Sequence, residues 1–170
     1  MFNHLRDVAQ TTDLSLPTVE LGDSPMPNRQ VSEVIEGISF ASALVTATVR
    51  EVAKMMKKQR TSAVLVIDRL GRLVGICTER DVVFGVVAKG LDPDCTQVAS
   101  VMTEDPRTIS PFKPFGHALH LMYEGGFRHV PVVDTVGRPV GLLCAKDALS
   151  IEAMQFEREL VQREEILVIL

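Results

Sequence analysis

VREVAKMMKKQRTSAVLVIDRLGRLVGICTERDVV (Val49–Val83) and FGHALHLMYEGGFRHVPVVDTVGRPVGLLCAKDAL (Phe115–Leu149) are one pattern written twice. The second copy follows the first by 66 positions, without a gap. Met56, Val64, Val66, Asp68, Gly71, Arg72, Val74, Gly75 and Asp81 recur as Met122, Val130, Val132, Asp134, Gly137, Arg138, Val140, Gly141 and Asp147. Upstream, VSEVIEG from Val31 and VASVMTE from Val98 are also alike, at an offset one residue longer. Two copies are too few for a solenoid and predict a closed pair sharing one core.

Within each copy the hydrophobic period changes as helix gives way to strand. Val49, Val52, Ala53 and Met56 stand at i, i+3, i+4 and i+7, the stripe of an amphipathic helix. Lys57, Lys58, Gln59 and Arg60 end it, with cations favourable at a helix C-terminus. Ala63–Ile67 is a short apolar run of branched residues, which predicts a buried strand. Asp68–Gly71 is turn chemistry, Leu73–Cys77 is the return strand, and Thr78 opens another helix. In the second copy Gly125 and Gly126 close the first helix. Pro131 has no N–H for a ladder, so its strand is expected at an edge or locally irregular. A short strand is expected before each copy, near Ile38 to Ala41 and Thr108 to Ser110.

The fold class is therefore α+β: two βαββα motifs packed as a pseudo-two-fold pair, plus a C-terminal helix. The expected divisions are an extended or mobile arm over 1–30, the first motif over 31–92, the second over 93–150 and the helix over 151–170. Met154, Val161 and Val168 lie seven apart on that last helix, as do Leu160 and Leu167, a stripe suited to docking on this chain or on a second copy.

Composition narrows the function classes. The chain has 170 residues, 46% hydrophobic and 24% charged, as in ordinary soluble domains. Its apolar runs are far shorter than the roughly 20 residues of a membrane helix. The start, MFNHLRDVAQTTD, lacks an apolar segment behind basic residues, so no secretory signal is expected. A net charge of −4 argues against a broad nucleic-acid surface. Cys77, Cys95 and Cys144 are odd in number without CxxC spacing, which predicts unpaired thiols in a reducing cytoplasm. No nucleophile–base pair, phosphate loop or metal cluster is evident, so neither catalysis nor a bound metal is expected. His117 and His120, at i and i+3, are read as surface residues.

AVLVIDRLGRLVGICTERDVV and HVPVVDTVGRPVGLLCAKDAL resemble the cystathionine-β-synthase (CBS) domain family. The carrying features are a strand ending in Val-hydrophobic-Asp, a glycine turn, a Val-Gly-Ile-like strand and Thr/Ser-x-x-Asp. The resemblance spans roughly residues 31 to 150. It implies a pseudo-symmetric module with two clefts that take adenosine ligands: AMP, ADP, ATP or S-adenosylmethionine, with no cofactor required. It also implies flat homodimers, regulation of an unidentified effector protein, and no membrane partner. Ribose-binding Asp and phosphate-binding Thr/Ser fall on Asp81 and Thr78, and on Asp147 with Cys144. Ala63, Val64, Thr108, Val130 and Pro131 would line the adenine.

The residues themselves fit those roles. A carboxylate accepts bonds from two vicinal hydroxyls, and a helix N-terminus offers N–H groups to phosphate. Arg80, Lys146, Arg128 and His129 can add charge-assisted bonds. A plainer reading stays open, since Thr78-x-x-Asp81 is also a helix cap needing no ligand. A thiol is a weak hydrogen-bonding group, so Cys144 predicts unequal clefts. A ligand-free dimerisation scaffold is the alternative function.

Overall fold

The computed structural model describes residues 29–149. Residues 1–28 of the arm expected over 1–30, and the helix expected over 151–170, lie outside them, while Gln30, at the end of that arm, bridges to Pro114. In chain order the elements are α1 (Val31–Ile35), β1 (Ser42–Leu44), α2 (Val49–Gln59), β2 (Ala63–Ile67), β3 (Leu73–Thr78) and α3 (Glu79–Val82). A π-helical turn (Val83–Val87) and a 3-10 turn (Val98–Ser100) follow, then β4 (Thr103–Glu104), α4 (Phe115–Gly125), β5 (His129–Val133) and β6 (Pro139–Cys144). Residues 145–149 are helical.

The predicted helix, hairpin and helix are present in both halves. Thr48 and Glu51 form a capping box that starts α2, and Arg60 ends it in the left-handed region at φ 52°. Gly126, the residue 66 places later, ends α4 at φ 65°. β2 and β3 pair antiparallel, as do β5 and β6, each with one register shift before the turn.

Two strands differ from expectation. β1 begins at Ser42, not Ile38, and pairs parallel with β2. Ala41 and Ala43 are buried while Ile38 is exposed, and such small residues give a weak hydrophobic signal. In the second half the corresponding strand shrinks to a single bridge, Ile109 to Val132. Pro131 supplies the reason. Leu65 donates its N–H to the Ala41 carbonyl at 2.9 Å in the first half. Its counterpart Pro131 has no N–H to offer Arg107.

The halves are locked by exchanging their leading segments. Val31 donates its N–H to the Lys113 carbonyl at 2.9 Å and Phe115 to that of Arg29 at 2.7 Å. Reciprocally, Val98 donates to Ala47 at 2.8 Å and Val49 to Thr96 at 2.9 Å. Val31 and Val34 thus pack among Ile109, Phe115, Val130, Val132 and Leu143 of the second half. Val98 packs among Ala43, Val52, Val64 and Val66 of the first. Val31 and Val98, both fully buried, each contribute about 1.5–3 kcal/mol. Gly75 and Gly141 make this possible: a Cβ at Gly75 would meet the Met102 thioether, and one at Gly141 would meet Ile35 Cδ1 at 2.7 Å. A third cluster of Ala63, Leu65 and Ile76, with Phe40 and Leu142 against it, joins the halves. The Leu73 N–H also crosses to the Gly137 carbonyl at 2.9 Å.

Candidate functional site

The end of β3 and the start of α3 form one wall of a cleft of about 520 Å³, within the range of small-molecule sites. Thr78, Glu79, Arg80 and Asp81 come from this wall, with Ile76 beneath and Ser62 beside them. The opposite wall comes from the second half: Thr103 in β4, Asp105, Pro106 and Arg107 after it, then Gly126, Phe127, Arg128 and His129 entering β5. Sequence positions far apart therefore face one another because the leading segments are exchanged.

At the centre is a capping box. Asp81 Oδ2 accepts from the Thr78 N–H at 2.8 Å and the Thr78 hydroxyl at 2.7 Å. The Asp81 N–H returns to Thr78 Oγ1 at 3.4 Å, and the Glu79 N–H donates to the Ser62 carbonyl at 3.0 Å. This corrects the expectation of a helix terminus offering open N–H groups. The cap and the Ser62 carbonyl already engage three of them, so an anion here depends on side chains. The cap therefore exists as geometry, and it leaves Asp81 Oδ1 with no hydrogen bond from the described residues.

His129 Nε2 lies 2.9 Å from Ser62 Oγ, a polar link between the halves. Burial holds the imidazole below its ordinary pKa of 6.5, helped by the Arg128 charge, so it is neutral at pH 7. Arg80 stands 5.5 Å from the Phe84 ring centroid, a cation–π contact on an otherwise exposed ring. Arg80, Arg107 and Arg128 are set against Glu79, Asp81 and Asp105, so formal charge in the cleft balances.

Of the expected site residues, Thr78, Arg80, Asp81, Arg128 and His129 line this one cleft. Cys144, Lys146 and Asp147 do not. They form the matching helix start 66 places on, where Asp147 Oδ2 accepts the Cys144 N–H at 2.6 Å. None of the five residues expected to line the adenine is among those lining this cleft. Ala63, Val64 and Val130 are fully buried and Pro131 is buried, while Thr108 is exposed outside the lining. Strand alternation is the reason: neighbours such as Ala63 and Val64 point to opposite faces and enter different clusters. The apolar lining is instead Ile76, Pro106 and Phe127. Sequence reasoning also missed Ser62 and Arg107. The offset that pairs the halves was the available signal, because it sets Arg107 against Ala41.

Cys77 is buried, and burial pushes its thiol up to about 12, as for an inert core cysteine. Cys95 and Cys144 are free as well. His117 and His120 are exposed, and His120 pairs with Glu124 at 3.2 Å. No helix among the described residues is long and apolar enough to cross a membrane.

Comparison with known proteins adds four findings. The family model described as "CBS domain" matches residues 32–87 and 98–153, again 66 apart. An uncharacterized 17.7 kDa protein of Acidianus ambivalens is 34% identical over 113 residues, covering 64% of this chain and 67% of that one. The CBS domain-containing protein CBSCBSPB2 of Arabidopsis thaliana is 34% identical over 137 residues; the match takes in 75% of this chain but only 25% of that protein. Among solved structures, a CBS domain protein from Pyrobaculum aerophilum complexed with AMP superimposes with a TM-score of 0.65 at 31% identity, covering 70% of this chain and 89% of that one.

Proposed function

The chain belongs to the CBS domain family, and from that premise we propose that it is a regulatory module binding AMP in the cleft between its two motifs. The carrying observation is the convergence there of Asp81, three guanidiniums and an apolar floor from both halves. The AMP complex of the Pyrobaculum aerophilum protein supports the same ligand class.

The ribose hydroxyls donate to Asp81, whose Oδ1 is left open by the cap. The adenine rests among Ile76, Pro106 and Phe127. Arg80, Arg128 and the neutral His129 take the phosphate with charge-assisted or polar bonds. Because the three arginines are balanced by three carboxylates, each phosphate beyond the first adds anionic charge without a further lining cation. AMP is therefore the expected ligand ahead of ADP and ATP. Catalysis is not part of this proposal: the imidazole of His129 lies 2.9 Å from the Ser62 hydroxyl, but among the described residues no acid is hydrogen-bonded to its other ring nitrogen to orient it as a base.

Binding changes the packing of the halves, and a partner protein reads the change. A ligand does this only through different affinities for two packings. A second copy of the chain is the expected neighbour, since Val83, Phe84, Val87 and Leu91 are exposed along one segment after the cleft.

A thermal-shift screen of AMP, ADP, ATP, S-adenosylmethionine and NAD tests the reading. AMP should raise the melting temperature most, because a ligand at a hundred times its Kd stabilises the native state by about 2.7 kcal/mol. If none shifts it at millimolar concentration, the cap is only a cap and the module is a ligand-free scaffold.

A further inference from the structure

We propose that His129 takes up a proton as AMP binds, so that the cleft holds nucleotide and proton together and binds AMP more tightly as pH falls from 8 to 7. This rests on the nucleotide-binding reading above and adds a second ligand, the proton, to it.

The imidazole stands where the halves meet. Its Nε2 lies 2.9 Å from Ser62 Oγ of the first half, and both residues line the cleft. The other ring nitrogen, Nδ1, has no hydrogen-bond partner among the described residues, yet no buried side-chain nitrogen among them lacks one. Nδ1 therefore reaches open space, where an acceptor can meet it. A serine hydroxyl accepts as well as donates, so the link to Ser62 survives protonation with the Nε2–H as donor.

The charges around the ring set its state. Burial opposes a charge on it, and Arg128 beside it and Lys146 after β6 act the same way. Asp147 after β6 and Glu79 on α3 favour a charge and do not prevail, so the ring of the free chain is neutral above pH 6.5. Elsewhere in the lining Arg80 and Arg107 stand with Asp81 and Asp105, and with Arg128 and Glu79 counted the formal charges cancel. AMP above pH 7 enters as a dianion, since a phosphate monoester loses its second proton at about pH 6. Two negative charges then join a cleft with no surplus cation. An opposite charge within about 4–6 Å favours the charged form of a titratable group. His129 is the one histidine of the lining, and histidine is the side chain whose ordinary range lies nearest neutrality. The proton comes from the buffer and stays on the imidazole while the phosphate is there. Because binding consumes a proton, affinity rises as pH falls. Adenosine has no phosphate and brings no such charge.

The test is calorimetric titration of AMP and of adenosine into the full chain and its His129→Gln variant, at pH 7 and pH 8, in two buffers of different ionisation enthalpy, with melting curves confirming the fold. Glutamine keeps a partner for Ser62 and does not titrate. In the parent, the AMP enthalpy at pH 7 should change with the buffer as for an uptake of about half to one proton, which as a linkage slope makes AMP about three- to tenfold tighter at pH 7 than at pH 8. Adenosine should show neither dependence, and His129→Gln should lose both for AMP. NMR titration of the ring in the parent needs no variant: its midpoint should lie below pH 6.5 alone and above about pH 7 with AMP. A midpoint that AMP does not move, or an absence of proton uptake by the parent, overturns the proposal. So does equal uptake with adenosine, or an uptake that persists in His129→Gln, which places the proton on a lining carboxylate or on the phosphate itself. A folded parent that binds neither ligand defeats the nucleotide reading itself, and this inference with it.

Discussion

Asp81→Ala separates the two roles of one carboxylate. As a cap, Asp81 Oδ2 accepts two bonds from Thr78, at 2.8 and 2.7 Å. Losing a cap of this kind costs about 1 kcal/mol, within a range of roughly 0.5–2. For a chain of this size that lowers Tm by about 2–4 °C. As a ribose acceptor, the same carboxylate takes two hydroxyls, and its removal should cost about 1.5–3 kcal/mol of binding, or roughly ten- to a hundredfold in AMP affinity. Thr78→Ala dissects the pair, since it breaks the hydroxyl bond yet leaves the carboxylate. It should match the stability loss with a much smaller loss of affinity. Calorimetry with AMP and with its 2′,3′-dideoxy analogue completes the cycle. Deleting the hydroxyls from the ligand and the carboxylate from the protein should not be additive, because both remove one interaction. An Asp81→Ala protein that melts lower but binds AMP like the parent would refute the ribose role and leave only the cap.

Other perturbations follow from the same geometry. Asp147→Ala should lower stability through its lost bond to the Cys144 N–H while leaving AMP affinity within about twofold, since its side chain is outside the cleft. Gly141→Ala should destabilise by about 1–3 kcal/mol in chemical denaturation, because Ile35 Cβ and Cγ2 stand 3.1 Å from the added carbon on a branched side chain. Gly75→Ala should cost less, as the Met102 thioether it meets can rotate away. His129 is held below pH 6.5 by burial beside Arg128, so the unfolded chain takes up its proton first. Its contribution is full above pH 6.5 and declines as pH falls from there, and His129→Gln should flatten the melting profile between pH 7 and 5. Phe84→Glu should convert a light-scattering mass of two chains to one, whereas a parent already of one-chain mass rules out the homodimer.

Local chemistry was legible in the chain; long-range partnership was not. The helix stripe of Val49, Val52 and Met56, the run Ala63–Ile67 and the turn at Gly71 each announce their element within a few residues. Repetition made Thr78 and Asp81 stand out. What stayed hidden depends on contacts distant in sequence. Val31 carries no mark saying that it packs with Phe115 and not with Val49. Ala63 and Val64, both expected against the adenine, lie on opposite faces of β2 and enter different clusters. Arg107 lies in a segment with no periodic signal, and its exposure follows from a missing N–H on Pro131, 24 residues further along. The π-helical turn at Val83–Val87 had no signature that propensity could detect.

A crystal structure grown with millimolar AMP tests the central claim most directly. Electron density for AMP is expected between the halves, with its ribose hydroxyls on Asp81 and its phosphate among Arg80, Arg107 and Arg128. An empty cleft at saturating AMP, or AMP held instead at Asp147 and Cys144, would contradict it.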